Sequence, residues 1–344
     1  VGCVLRAIPY SENSAPATSG LHTSKGESVH LRRLTATLGV LALALGSLTA
    51  CTSGPIVVIP SISHTAGPAY VVGIPAVPDG SNPLEGALLA HVYAAALDAA
   101  GAKATIAAED PQDPTLLDKL GTGAVDLVPG YSSSFLDVLD PHAQVTTTGQ
   151  VLDALKSALP AKISMLDAAK AQDNDGMVVT TVTAQKYNLK TIADLAKVCD
   201  KLDFGGSENF RTKEHGLATL GSDYNCVPKA YEELPNTNEE LLLALLRDKI
   251  QVADIHSSSP AIEDNALVVL TDTKQVFQAQ SIVPLVSTKN VPADIQAVIN
   301  KVTAALSDEE LINLNRLADG SNNASLDQAA HAWLVLMGLL KATS

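Results

Sequence analysis

Hydrophobic and polar positions fall in blocks that predict strands followed by helices. Residues 70–74 are a short apolar run suited to a buried strand, and Leu84, Leu88, His91, Val92 and Ala95 share one side of a helix over residues 84–100 that Gly101 ends. The unit 116–131 repeats this logic: a helical Leu116, Leu117 and Leu120 cluster, a turn at residues 121–123, then a strand over 124–128. Further strands are expected at 177–182, 202–204, 250–255 and 267–270, alternating with helical stretches at 184–198 and 239–247. Helical periodicity dominates from residue 293 onward. Polar residues at 191–194 and 238–239 stand where helix starts need acceptors. Trp333, the only tryptophan, sits on an apolar helix and is expected in the core. The alternation predicts α/β architecture.

Residues 29–51 read VHLRRLTATLGVLALALGSLTAC: two arginines, an apolar stretch from 34 to 48, then small residues before Cys51. This is an export signal, and the apolar stretch is shorter than the roughly 20 residues a spanning helix needs. Its end resembles the lipobox of bacterial lipoproteins, which implies a diacylated Cys51 and an exported chain anchored at the outer face of the cytoplasmic membrane. The chain opens with Val rather than Met, and Val29 is the start expected for a short basic n-region; an extension upstream of the signal is the alternative. Residues 1–50 are thus read as leader and signal, and 51–68, rich in Pro, Ser and Gly, as a flexible tether.

Charge and cysteine usage narrow the classes. A net charge of −14 supplies none of the clustered Lys and Arg that a nucleic-acid partner needs, and removing residues 1–50 leaves the body more acidic. With Cys3 in the leader and Cys51 assigned to lipid, Cys199 and Cys226 remain, a disulfide in an exported protein or, less simply, a metal pair without zinc spacing. With 344 residues, 46% of them apolar, two cores are expected. The sequence holds no H-E-x-x-H, G-x-S-x-G or Walker A pattern, so no enzyme, metal site or cofactor is expected. Residues 130–134 (GYSSS) come nearest to a nucleophile elbow, and their simpler role is to open the next helix.

Several blocks carry a resemblance: 88–93 (LLAHVY), 123–131 (GAVDLVPGY), 186–195 (KYNLKTIADL), 204–217 (FGGSENFRTKEHGL), 267–272 (LVVLTD) and 282–285 (IVPL). In order and spacing the chain resembles the quaternary-ammonium class of ABC solute-binding proteins, those for glycine betaine, choline and related osmolytes. The resemblance implies a type II periplasmic-binding fold whose two α/β lobes close over a ligand. Lobe I is expected from residues 69–173 and 260–344, lobe II from 174–259. It also implies a monomer that captures a small quaternary amine or related solute and delivers it to an ABC permease with its ATPase subunit.

The same resemblance carries over site residues. The family's first-lobe cage tyrosine matches Tyr131, its second-lobe aromatic-x-Thr-Arg block matches residues 210–213, with Phe210 and Lys213 at its ends, and Glu85 and Asp173 fall on acidic positions. A quaternary ammonium has no N–H to donate, so aromatic faces recognise it. Lys213 keeps the positive charge of the usual arginine and loses its bidentate fork. Other positions depart. Gly130 replaces an acidic residue, His256 an aromatic one, Ser259 a second acidic one, and residues 79–83 (DGSNP) lack a usual phenylalanine. Tyr131 read without the family is a half-buried tyrosine at a turn, Lys213 a solvated lysine, and His256 a strand-end histidine satisfied by backbone. Fewer rings leave a second reading open, in which the cleft has drifted to an amino acid, polyamine or polyol.

Overall fold

The computed structural model describes residues 59, 69–107, 114–234, 238–318 and 324–341. The expected leader and export signal, Cys51 and nearly all of the expected tether lie outside the described residues. Ile59, expected in that tether, is buried and donates its N–H to the Leu339 carbonyl.

The first lobe runs β1 (Tyr70–Val72), α1 (Glu85–Ala100), β2 (Ala104–Ile106), α2 (Leu116–Thr122), β3 (Leu127–Tyr131), α3 (Ser132–Leu139), α4 (Thr148–Ala158) and β4 (Ile163–Met165). The second runs β5 (Met177–Thr180), α5 (Thr181–Tyr187), α6 (Ile192–Leu195), β6 (Asp203–Gly206), α7 (Glu208–Thr212), α8 (Leu217–Tyr224), β7 (Ala230–Glu233), α9 (Asn238–Leu246), β8 (Val252–Asp254), α10 (Ala261–Asp264) and β9 (Leu267–Val269). The chain then returns to the first lobe through β10 (Ile282–Ser287), α11 (Ala293–Ala305), α12 (Asp308–Ala318) and α13 (Leu326–Leu336).

The sheets are ordered β2-β1-β3-β10-β4 and β7-β6-β8-β5-β9. In each, parallel strands adjoin an antiparallel one next to the edge: β10 runs against β3 and β4, and β5 against β8 and β9. Helices cover both faces, which is why β3 and β10 are buried along their whole length. Leu127, Tyr131, Ile282 and Val286 face one core while Val128, Val283 and Leu285 face the other. The pairing of β9 corrects the expected boundary: residues 267–269 belong to the second sheet, and Leu270, Val276 and Phe277 to its core, so the return to the first lobe comes after residue 277 rather than at 260.

Local chemistry explains where the elements end. Gly101 caps α1 with φ 95°, donating its N–H to Leu97 and Asp98. The strand expected over 177–182 stops at Thr180, whose hydroxyl accepts from the Thr183 N–H and starts α5. The helix expected over 184–198 is divided: Asn188 takes φ 54° to close α5, and a Thr191–Asp194 capping box opens α6. Trp333 is fully buried and its indole N–H donates to Glu310 at 2.7 Å. Cys199 and Cys226 form a disulfide, with Cα atoms 5.4 Å apart.

Candidate functional site

The carboxyl ends of strands from both sheets converge, where open α/β sheets place their ligand crevices. From the first lobe come the loop after β1, with Asp79 and Ser81, the start of α1 with Glu85, and the end of β3 with Tyr131. From the second come Ser207, which caps α7 and so places Phe210 and Lys213, and the end of β8 with Asp254 and His256. The crossing segment between the lobes carries Asp173 and Asp175.

Tyr131, Glu85 and Asn315 form one buried cluster. The Tyr131 hydroxyl donates to Glu85 Oε1 at 2.9 Å. Asn315 Nδ2 reaches Glu85 Oε2 at 2.5 Å and the Ser258 carbonyl at 3.1 Å, so α12 holds the second lobe as well as α1. Burial, and then the Asp173 charge, push the Glu85 carboxyl up to about 8, so it keeps its proton at neutral pH. Burial and the same carboxylates hold Tyr131 as the neutral phenol.

His256 is the centre of a second cluster. Its Nδ1 lies 3.2 Å from Asp173 Oδ2 and its Nε2 3.1 Å from the Asp79 carbonyl, with Asp175 Oδ1 at 3.5 Å. Ser81 donates to Asp173 and lies 3.1 Å from Nδ1. Acceptors at both ring nitrogens require two donors, hence an imidazolium. Burial opposes that charge, but Asp173 first, then Asp175 and Asp254, outweigh it and hold His256 up to about 10. In return His256 lowers Asp173 against the effect of burial. Asp254 is pushed up to about 8 by burial and the Asp175 charge, and its Oδ1 is buried without a hydrogen-bond partner.

In front of these clusters, between the lobes, opens a cavity of ≈ 230 Å³. Asp79, Ser133, Ser134, Asp137 and Gln280 line it with Asp175, Asn209, Lys213, Glu214, His215 and Gln278; among the described residues its apolar side chains are Pro78, Pro141 and Ala143. Of the residues expected at the site, Lys213 alone lines it. Lys213 Nζ is held by both Asp175 oxygens at 2.8 Å, and Asp175 raises its affinity for the proton although burial opposes it. Glu85, Tyr131, Asp173 and His256 stand behind the cavity, and Phe210 packs in the second core with ring centroids 5.8 Å from Phe277. Sequence reasoning missed Asp79, Asp137, Asp175, Gln280 and Asn315. Only the loop 79–83 carried a signal for any of them, through its alignment with a cleft loop.

Residues 80–335 match the family model described as the substrate binding domain of an ABC-type glycine betaine transport system. The chain belongs to that family. The carnitine transport binding protein OpuCC of Listeria monocytogenes serotype 1/2a (strain 10403S) is 29% identical over 145 residues, 40% of this chain and 45% of that protein. The matched region thus spans less than half the length of this curated relative. A crystal structure described as a glycine betaine/carnitine/choline ABC transporter covers 78% of this chain and 98% of its own at 20% identity, with a TM-score of 0.68. Apo YehZ from Escherichia coli covers 79% and 99% at 18% identity, with a TM-score of 0.64. Lactococcal OpuAC, closed on glycine betaine, covers 78% and 95% at 14% identity, with a TM-score of 0.51. At these identities the likeness establishes the two-lobed type II fold. The family is one of solute-binding domains, not enzymes.

Two positions expected from the sequence to depart from the family pattern have distinct surroundings. A Cβ on Gly130 would lie 2.5 Å from the Phe135 ring and 3.0 Å from Pro75, so an acidic side chain has no room there. His256, expected at an aromatic position, is a charged partner of Asp173 and Asp175.

Proposed function

We propose that the chain is the extracytoplasmic solute-capturing subunit of an ABC importer, which holds one small solute between its lobes and delivers it to a permease with its ATPase subunit. The observation that carries this is the cavity lined from both lobes, because a ligand touching both favours the closed arrangement by its differential contacts. Among the described residues no helix is long and apolar enough to cross a membrane. The reading takes the protein as a monomer at the outer face of the cytoplasmic membrane.

The family points to an osmolyte of the glycine betaine or choline type. A drifted cleft is the second reading, and the lining favours it, because among the described residues no phenyl, phenol or indole ring lines the cavity. Phe210 lies under Lys213, whose Nζ is 5.8 Å from its ring centroid.

A thermal-shift screen against betaine, choline, carnitine, amino acids and polyamines tests capture. A ligand at 100 times its Kd adds about 2.7 kcal/mol to the native state. Unchanged melting with every compound would remove the proposal. Cys51→Ser is expected to release the protein from membranes, and unchanged retention would remove the anchor.

A further inference from the structure

We infer that Asn315 and Arg316 on α12 form a clasp that holds the two lobes together independently of solute, and so sets how fast a solute enters and leaves the cavity; this rests on the solute-capture reading above. Helix α12 belongs to the first lobe: Leu311, Leu314 and Ala318 make a stripe at helical spacing that sinks into the first core. Asn315 falls inside that stripe, Arg316 lies one step round the helix, and both reach the second lobe. Asn315 Nδ2 donates to the carbonyl of Ser258, just beyond β8, at 3.1 Å. Arg316 Nη2 lies 3.0 Å from Asp264 Oδ1 and 3.3 Å from Glu263 Oε2. Both carboxylates stand on α10, whose Ile262 packs against the second-lobe core of Leu245 and Ile250.

Neither Asn315 nor Arg316 is among the residues that line the cavity, yet Asn315 is tied to its walls. Its Oδ1 accepts from Asn82 Nδ2 at 3.1 Å, and Asn82 sits in the loop that carries the lining residue Asp79. Its Nδ2 also reaches Glu85, which the Tyr131 hydroxyl holds from the end of β3. All these contacts join protein groups, so they favour the closed arrangement before any solute arrives. A cavity lined from both lobes exchanges its solute only while the lobes are apart. Closing contacts that need no solute therefore slow entry and exit together, whereas contacts made through the solute slow exit alone. The Arg316 pairs are partly exposed, and pairs of that kind shift an equilibrium about two- to fivefold.

Small-angle scattering of the full-length chain, with stopped-flow binding of glycine betaine, choline and carnitine as probes, decides it. Before any probe is added, the parent is expected to be compact, and Arg316→Ala and Asn315→Ala to be more expanded. For a probe that binds, Arg316→Ala should speed association and dissociation alike, each by about two- to fivefold, so that affinity changes by less than either rate. Reversing the charges, Arg316→Glu with Glu263→Lys and Asp264→Lys, should restore slow exchange. Asn315 is fully buried, so Arg316→Ala carries the test if Asn315→Ala fails to fold. A parent as expanded as its variants, or unchanged association in Arg316→Ala, overturns the clasp and leaves solute capture standing. A charge reversal that still exchanges fast overturns the part given to Arg316. No binding by any probe, together with a flat thermal-shift panel, overturns the capture reading itself, and the scattering then decides the clasp alone.

Discussion

His256 Nδ1 stands 3.2 Å from Asp173 Oδ2, and the two side chains are 1% and 0% exposed. Such a pair has lost its hydration and is held only by mutual attraction and by the hydrogen bonds around it. Those bonds reach both sides of the cleft: the Asp79 carbonyl and Ser81 come from the first lobe, and the Ser258 N–H of the second approaches Asp173 Oδ1 at 3.4 Å. The ion pair is therefore a fastening between lobes as well as a local contact.

The pair predicts how stability depends on pH. Folding raises His256 from 6.5 to about 10, so its contribution is complete below about pH 6.5 and is lost as pH rises through about 10. Glu85 and Asp254 are also raised, each to about 8, and the folded state's advantage from their protons erodes from near their unfolded values up to about 8. Asp173 is lowered and acts the other way, losing its contribution only in acid. The melting temperature is expected to be highest near about pH 4 and to fall toward pH 9, each group adding at most about 1.4 kcal/mol per pH unit. Scanning calorimetry across that range checks the sign, and a flat or rising curve contradicts it.

Removing one partner should cost more than removing both. His256→Ala leaves Asp173 buried without its counter-charge, a loss of about 3 to 5 kcal/mol. Adding Asp173→Asn should recover part of it, with a coupling of about 0.5 to 3 kcal/mol. Denaturant melts of the two single variants and the double variant measure this, and strict additivity would show that the two residues act separately.

The Cys199–Cys226 bridge closes a sequence separation of 27 residues. In the chain-entropy model its reduction costs about 3 to 4 kcal/mol. Reduction should lower the melting temperature, and thiol titration of the unreduced, unfolded protein should find neither of these cysteines free.

Gly130→Asp should not restore a family-like site. Its Cβ would meet the Phe135 ring and Pro75, so a loss of about 1 to 3 kcal/mol is expected from overpacking. Combining it with Phe135→Leu should recover part of that loss in thermal melts. If Gly130→Asp alone is as stable as the parent, the ring is not what excludes a side chain there.

Much of the fold was legible because it is written in local chemistry. The apolar face and terminal glycine of α1, the Thr191–Asp194 cap and the core tryptophan are all decided within a few residues of themselves. Where local signals competed, the sequence misled: Thr181 and Val182 favour a strand by type but open α5 behind the Thr180 cap, and the strand expected over 124–128 begins at Leu127 because β10 pairs with residues 127–131. Asp126, inside the expected strand, instead accepts from the Val71 N–H and from Asn290.

By itself the sequence determined the α/β alternation and the family resemblance, each a matter of periodicity or of residues close in order. Only the tertiary structure decided the site. Ser81, Asp173, Asp175, His256 and Asn315 come from four separate parts of the chain, and whether a carboxylate faces a cavity or an imidazolium depends on which loops meet at the strand ends. Tyr131 shows the difference most directly. Its place at the end of β3 follows from the apolar run that precedes it, but its hydroxyl binds Glu85, 46 residues away, because packing α1 against the first sheet buries both and each then needs the other as a hydrogen-bond partner.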